Sequence, residues 1–373
     1  MFSPAAPGSG AAIFIEHQRQ EIKDGRVNFS VRFHSAFVIC LILVVASGCI
    51  GAKHNPGGLK RFEFEQPHMG TLFKITLYAA DETSARLASD AAFAKVAALD
   101  RMMTDYDPES ELMRLCRRPV NTPVRVSEDL FAVLEESLRI ARLSDGAFDP
   151  TIGPVIRQWR RARRMGDLPT PEQIQHAQQS VGWQKLLLNA KARTVTLLAT
   201  NMQLDLGGIA KGYAADKALA ELKAHGISKA LVAASGDIAA GDPPPESKGW
   251  RVSIGTPYST NALSKTFLLS NAAVSTSGDA EQFVVIGGQR YSHIVDPRTG
   301  IGLTNRLQVS VIGRNATATD TLATTVCVMG TERGFALIKA QSQTSAIIFS
   351  YENEILEMKT SRPKMNLPGV VEE

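Results

Sequence analysis

The chain is poor in aromatic residues, in net charge, in cysteine and in long apolar runs, and each shortage closes off a class of function. Aromatics make up 6% of its 373 residues and the net charge is +4, so no basic stripe interleaved with aromatics offers itself to a nucleic acid. Four cysteines, with no C-x-x-C pair and no Cys/His cluster, argue against a thiolate zinc centre. The glycines do not fall into G-x-G-x-x-G, which removes the fingerprint of a dinucleotide-binding βαβ unit. There is no internal repeat and no low-complexity tract. What remains is ordinary globular material, 44% hydrophobic and 21% charged, long enough for one large domain or two small ones.

The longest apolar run, residues 36–48, is too short to cross a bilayer comfortably but suits the core of an export signal, with Arg26 and Arg32 before it. It stops at Ala46-Ser47-Gly48-Cys49, which resembles a bacterial lipobox with Ala46 in place of the usual leucine. Residues 1–48 are therefore expected to be a signal region and Cys49 a lipid-attachment site, a plain export signal or membrane anchor being the alternative. Residues 1–30 are polar and mixed in charge, unlike a leader; translation beginning at Val31 would give a compact signal. Residues 49–62, with Gly51, Asn55, Pro56, Gly57 and Gly58, read as a tether. Cys40 falls within the signal, and Cys327, in the apolar run Thr325–Met329, reads as a buried free thiol, which argues against pairing with Cys116.

Beyond the tether, Thr71–Leu77 alternates like a strand. Leu87, Ala91, Val96, Leu99 and Met103 recur at helical spacing after Asp81, and Leu130, Val133, Leu134, Leu138 and Ala141 repeat the theme. Thr170-Pro171-Glu172-Gln173 is a capping box, and a helix is expected from Ile209 to His225, stopped by Gly226. Strands are expected at 229–234, 250–255, 282–287, 290–295, 307–312 and 345–350, with a Gly287-Gly288 hairpin, and helices at 316–329 and 331–340. Residues 359–373 read as a flexible tail. The pattern is α+β rather than alternating βαβ.

Four segments invite chemistry. In Leu204-Asp205-Leu206-Gly207-Gly208-Ile209-Ala210-Lys211, a carboxylate ends an apolar stretch, two glycines follow, and a lysine sits in the first turn of a helix. Such a turn can present backbone and one positive charge to a phosphate, although a plain turn with a solvated lysine has the same look. Gly146-Ala147-Phe148-Asp149-Pro150-Thr151 is a turn carrying one aromatic and one fixed acceptor. His293, before Asp296-Pro297-Arg298-Thr299-Gly300, is a candidate general base, though a lone strand-end histidine is more often structural. Asp320 and Thr324 share one helix face and could offer two oxygens to a hard cation, though an aspartate early in a helix commonly only caps it.

In this combination and order, over about residues 65–355, these segments resemble the FAD:protein FMN transferases, a family long labelled thiamine-biosynthesis lipoproteins. The resemblance implies an α+β flavin-transferase (T-fold-like) architecture of mixed sheets and helices over residues 63–358. It implies metal ligation by Asp320, Thr324 and the Gly208 carbonyl, with Mg2+ as the ion. Some relatives carry a second Asp where this chain has Ala323. It assigns FAD contacts to Met69, Tyr106, Ala147, Phe148, Asp149, Asp205, Lys211 and Ile294, and makes His293 the catalytic base. Ser235-Gly236-Asp237-Ile238 and Ser275-Thr276-Ser277-Gly278 also match family segments and are assigned to the site wall without a chemical role. The implied reaction moves FMN from FAD to a threonine hydroxyl of a flavin-bearing subunit of a membrane redox complex, or of an FMN-binding domain, and releases AMP. The implied location is an exported, lipid-anchored protein, facing the periplasm. The alternatives are hydrolysis of FAD to FMN and AMP, or a lipoprotein that only binds flavin. Arg157, Arg160, Arg161, Arg163 and Arg164 read as a solvated helix face.

Overall fold

The structure is a computed structural model that describes residues 58–255, 263–279, 282–352, 355–362 and 366–373. The expected signal region, Cys40, Cys49 and most of the tether lie outside the described residues. Eight strands form one antiparallel sheet, in the order Lys60–His68, Thr71–Ala79, Ala230–Ala234, Asp237–Ala240, Ala272–Gly278, Leu307–Gly313, Ser345–Glu352 and Ile355–Thr360. The architecture is α+β, as the absence of a regular βαβ alternation in the sequence predicts. The first strand begins inside the stretch expected to be tether.

Among the described residues there are eight α-helices: α1 (Glu82–Met103), α2 (Glu111–Cys116), α3 (Glu128–Leu143), α4 (Gly153–Met165), α5 (Pro171–Gln178), α6 (Ala210–Ala224), α7 (Ala316–Met329) and α8 (Thr331–Ala340). The Asp81 carboxylate starts α1 by accepting the Ser84 N–H at 2.8 Å. Its buried stripe runs through Ala85, Ala88, Ala92, Val96, Leu99 and Met103. Leu87, expected on that stripe, is 65% exposed. It lies two residues past Ala85 and so about 200° around the helix at 3.6 residues per turn. The five interior positions expected for α3 are all buried. The capping box at Thr170 opens α5, and Gly226, at φ +81°, follows α6.

Helices α1, α6 and α7 form a layer on one face of the sheet. A three-stranded sheet, Trp250–Gly255, Ser264–Leu269 and Val370–Glu372, covers the other face. Residues 359–373, expected to be a flexible tail, instead supply the strand Val370–Glu372, with Leu367 and Val370 buried. So few apolar residues leave no readable period; the partner strand's unsatisfied backbone groups dictate this strand. The period of two along each central strand feeds two cores. On Asp237–Ala240, Ile238 and Ala240 join the core under the small sheet, while Ala239 joins the core under the helices. A third cluster, built on Ile152, Val155, Trp159, Ile174 and Val295, fastens α4 and α5 to the Asp296–Gly300 turn. There the Trp159 indole donates to the Gly300 carbonyl at 2.8 Å.

Candidate active site

The cleft is built where α6 and α7 cross. Gly212 on α6 lets the two backbones touch: a methyl group there would lie 2.2 Å from the Ala316 carbonyl oxygen. That approach puts the Gly212 N–H 3.0 Å from Asp320 Oδ2. From one turn further along α6, the Asp216 carboxylate caps α7, accepting the N–H groups of Ala316 and Thr317, each at 2.8 Å. Asn315 adds a second cap by accepting from Ala318. Helix α7 is thereby fixed in rotation, with Asp320 and Thr324 facing the cleft.

Asp237, on the sheet, faces them from the opposite wall. The Lys211 ammonium stands 2.7 Å from Asp237 Oδ2 and 3.5 Å from Asp320 Oδ2. Both carboxylates are almost wholly removed from water, at 2% and 1% exposure. Burial first, and the neighbouring Asp237 second, push the Asp320 carboxyl up to about 7. The two aspartates hold the Lys211 ammonium well above the usual lysine range, against the opposing effect of burial. With both carboxylates ionised, two negative charges face one ammonium. Thr324 Oγ1 meets Ser277 Oγ at 3.1 Å, and a methyl group on Gly208 would crowd Thr324 at 3.2 Å. The donor set is therefore all oxygen, small and net negative, which suits a hard dication that keeps much of its water. Among the described residues no group of three or more His, Cys, Asp or Glu could hold a metal ion. That is consistent with a site whose remaining oxygens are hydroxyl and carbonyl.

His293 lines the same cleft. Its Nδ1 lies 3.1 Å from the Gln282 carbonyl oxygen, which only accepts, so Nδ1 carries the proton and Nε2 keeps a free lone pair. Burial, reinforced by the charges of Arg163 and Lys211, lowers its pKa to about 4. The imidazole is neutral at physiological pH and able to accept a proton.

The rim is aromatic and cationic. Met69 and Gly70 form the two-residue tip of a hairpin, both at positive φ, with the Met69 N–H held by Asp100 Oδ2 at 2.8 Å. Tyr106 is 78% exposed, and the Arg160 guanidinium lies 4.6 Å from its ring centroid. Arg160 also pairs with Asp105 and, at 3.1 Å, with Asp205. The other Asp205 oxygen accepts the Gly207 N–H and so shapes the glycine turn. Burial raises the Asp205 pKa, and Asp105 adds to the rise.

All twelve residues singled out from sequence line this single cleft of about 630 Å³: Met69, Tyr106, Ala147, Phe148, Asp149, Asp205, Gly208, Lys211, His293, Ile294, Asp320 and Thr324. Two take up postures that the sequence did not suggest. The Asp149 carboxylate is spent on the fold, accepting from Thr151 N–H, Thr151 hydroxyl and Trp183 N–H. Lys211 is not free to reach out but is clamped by two aspartates. Sequence reasoning gave Asp237 no role and read Arg160 and Arg163 as solvated, yet all three line the cleft. The signal for Asp237 was its position at the start of an otherwise apolar strand, a charge with no reason to be there unless paired. Cys116 and Cys327 are free thiols, as expected, and Cys327 is buried.

A model of the ApbE family matches residues 69–349. The FAD:protein FMN transferase of Treponema pallidum is 31% identical over 320 residues, covering 81% of this chain and 86% of that protein. The Haemophilus influenzae protein of the same name is 28% identical over 305 residues, covering 79% and 88%. Among solved structures, the flavin transferase ApbE from Vibrio cholerae superposes with a TM-score of 0.73 at 27% identity, covering 81% of this chain and 97% of that one. The apo flavinyl transferase ApbE of Pseudomonas stutzeri does so equally well, at 0.73 and 27%, covering 81% and 95%. With an α+β fold that matches these structures and its motifs gathered in one cleft, the chain belongs to the ApbE family and is a transferase.

Proposed function

We propose that the protein transfers FMN from FAD to a threonine hydroxyl of an acceptor protein, releasing AMP, with Mg2+ held by Asp320, Thr324 and the Gly208 carbonyl. The observation that carries this reading is the convergence of a neutral histidine, two buried carboxylates and a clamped ammonium in one cleft with an aromatic rim. The threonine oxygen bonds to the FMN phosphorus, its proton passes to His293 Nε2, and the P–O bond to AMP breaks with its electron pair leaving on AMP. When bound, the dication supplies positive charge against the charge that grows on the leaving phosphate. Gln282 keeps the imidazole in the accepting tautomer. Gly207 and Gly208 allow backbone to approach the pyrophosphate closely. The isoalloxazine and adenine rings have Met69, Tyr106, Phe148 and Ile294 as apolar surfaces. The acceptor is an FMN-bearing subunit of a membrane redox complex or an FMN-binding domain. The enzyme reaches it from a lipid anchor on Cys49, exported to the periplasmic side.

Incubation of a form beginning after Cys49 with FAD, Mg2+ and an FMN-binding acceptor domain tests this. A fluorescent flavin band on the denatured acceptor, lost with EDTA, is the expected result. AMP and free FMN without a band would instead identify a hydrolase, and intact FAD without a band would refute turnover on that acceptor.

A further inference from the structure

The Lys211 clamp raises a problem of charge. An ammonium 2.7 Å from one buried carboxylate and 3.5 Å from another already has its counter-ions, and cannot neutralise a phosphate while it stays there. The carboxylates in turn need a cation, because two anions this close and this dry repel each other strongly. On α7 the residue just before Thr324 is Ala323, wholly buried and without an oxygen to offer. The second carboxylate comes instead from the sheet, as Asp237. Lys211 is suited to moving: its side chain is 28% exposed, and a four-carbon stem lets the head swing about its root on α6. Gly207 and Gly208, beside it, put no side chain in the way.

We propose that Lys211 is the resident counter-ion of the Asp237–Asp320 pair, that a divalent cation bound by this pair displaces its ammonium, and that the freed ammonium then meets the phosphates of the dinucleotide. This rests on the dication reading of the site given above. It makes Asp237 a determinant of cation affinity, although it lies outside the four segments from which the chemistry was first read. It also couples the two ligands. The cation releases the group that the dinucleotide needs, and the dinucleotide, by holding that group away, favours the cation; the coupling is equal in both directions.

Titration calorimetry with Mn2+ in the absence of FAD tests the exchange. Lys211→Met, which removes the competitor, is expected to bind Mn2+ at least about tenfold more tightly than the unmodified protein. Asp237→Asn is expected to bind it at least about tenfold more weakly. Lys211→Arg keeps the charge and grips both carboxylates with a planar fork, so Mn2+ affinity should fall. FAD affinity should rise with Mn2+ in the unmodified protein and lose most of that rise in Lys211→Met. Equal or weaker Mn2+ binding by Lys211→Met overturns the proposal. If that variant does not fold, Lys211→Arg decides: equal or tighter Mn2+ binding overturns it. An FAD affinity indifferent to Mn2+ in the unmodified protein also overturns it. Absence of any Mn2+ binding by the unmodified protein, with or without FAD, would instead remove the dication reading, and this proposal with it.

Discussion

The two faces of the central sheet are made from the same strands, yet they bury different chemistry. Under the small sheet lie Leu231, Ile238, Trp250, Val252, Phe267, Val274, Ile312, Ile347 and Phe349, and the polar side chains buried with them, such as Gln308 and Ser310, are uncharged. Under α6 and α7 a larger apolar core is joined by two buried carboxylates, Asp237 and Asp320, and by Ser275, Thr319, Thr321 and Thr325. These groups are spoken for: Ser275 meets Thr319 at 2.8 Å, and Thr321 and Thr325 bond back to carbonyls one turn earlier, each at 2.7 Å. Consecutive residues illustrate the division, since Asp237 points to the cleft and Ile238 to the other core. Buried carboxylates, which would be costly anywhere in the molecule, are confined to one side.

Substitutions can test that division of labour, the largest effects coming on the face that holds the carboxylates. Asp320→Asn should abolish flavin transfer to the acceptor, read as in-gel fluorescence. Its melting temperature at pH 8 should not fall below that of the parent. The folded-state pKa of Asp320 lies near 7, above the ordinary aspartate value of 3.8, so its charge costs stability as pH rises between those values. Removing that charge leaves Lys211 and Asp237 as a balanced pair. A well-folded variant with full activity would refute the assignment. His293→Ala should retain FAD and slow transfer by roughly 10²–10⁴-fold, the usual range for a lost general base. Unchanged single-turnover rates would take His293 out of the chemistry.

On the small-sheet face, which holds no buried carboxylate among the described residues, stability should fall while activity holds. Ile238→Ala should cost about 2–5 kcal/mol in denaturant unfolding, as expected for truncation of a buried isoleucine. The transfer rate per folded molecule should hardly change. A large loss of rate there would show that the two faces are not separable. The smallest effect concerns pH. With His293 held near 4, transfer should show no acid limb at 6.5, the ordinary histidine value, and should lose this base only as pH approaches 4. The stability contributed by keeping this ring neutral is complete above 6.5 and declines as pH falls from 6.5 to 4. An acid limb centred near 6.5 would mean that the ring is more open to water than its place in the cleft implies.

Much of this was legible in the sequence, for identifiable reasons. Asp81, Thr170 and Gly226 announce helix ends because capping is local chemistry within three or four residues. The twelve candidate residues picked from motifs spread along the chain fall together in one cleft. What stayed hidden depended on partners far along the chain. The strand Val370–Glu372 has no period of its own and follows from pairing with Ser264–Leu269. The pairing of Asp237 with Lys211, and of Arg160 with Asp105 and Asp205, is invisible until the sheet and helices are stacked. Leu87 misled because apolar character was counted without fixing the angle around the helix.

The cap that Asp216 places on α7 joins residues 100 positions apart in sequence, and the Gly212–Asp320 bond spans 108. No fragment containing only one of these helices can hold the aspartate in place. Closing so long a loop is entropically slow compared with forming either helix. On refolding, the far-ultraviolet helix signal should therefore return before the capacity to bind a cation, so ion binding would serve as a reporter for the last docking step of the fold.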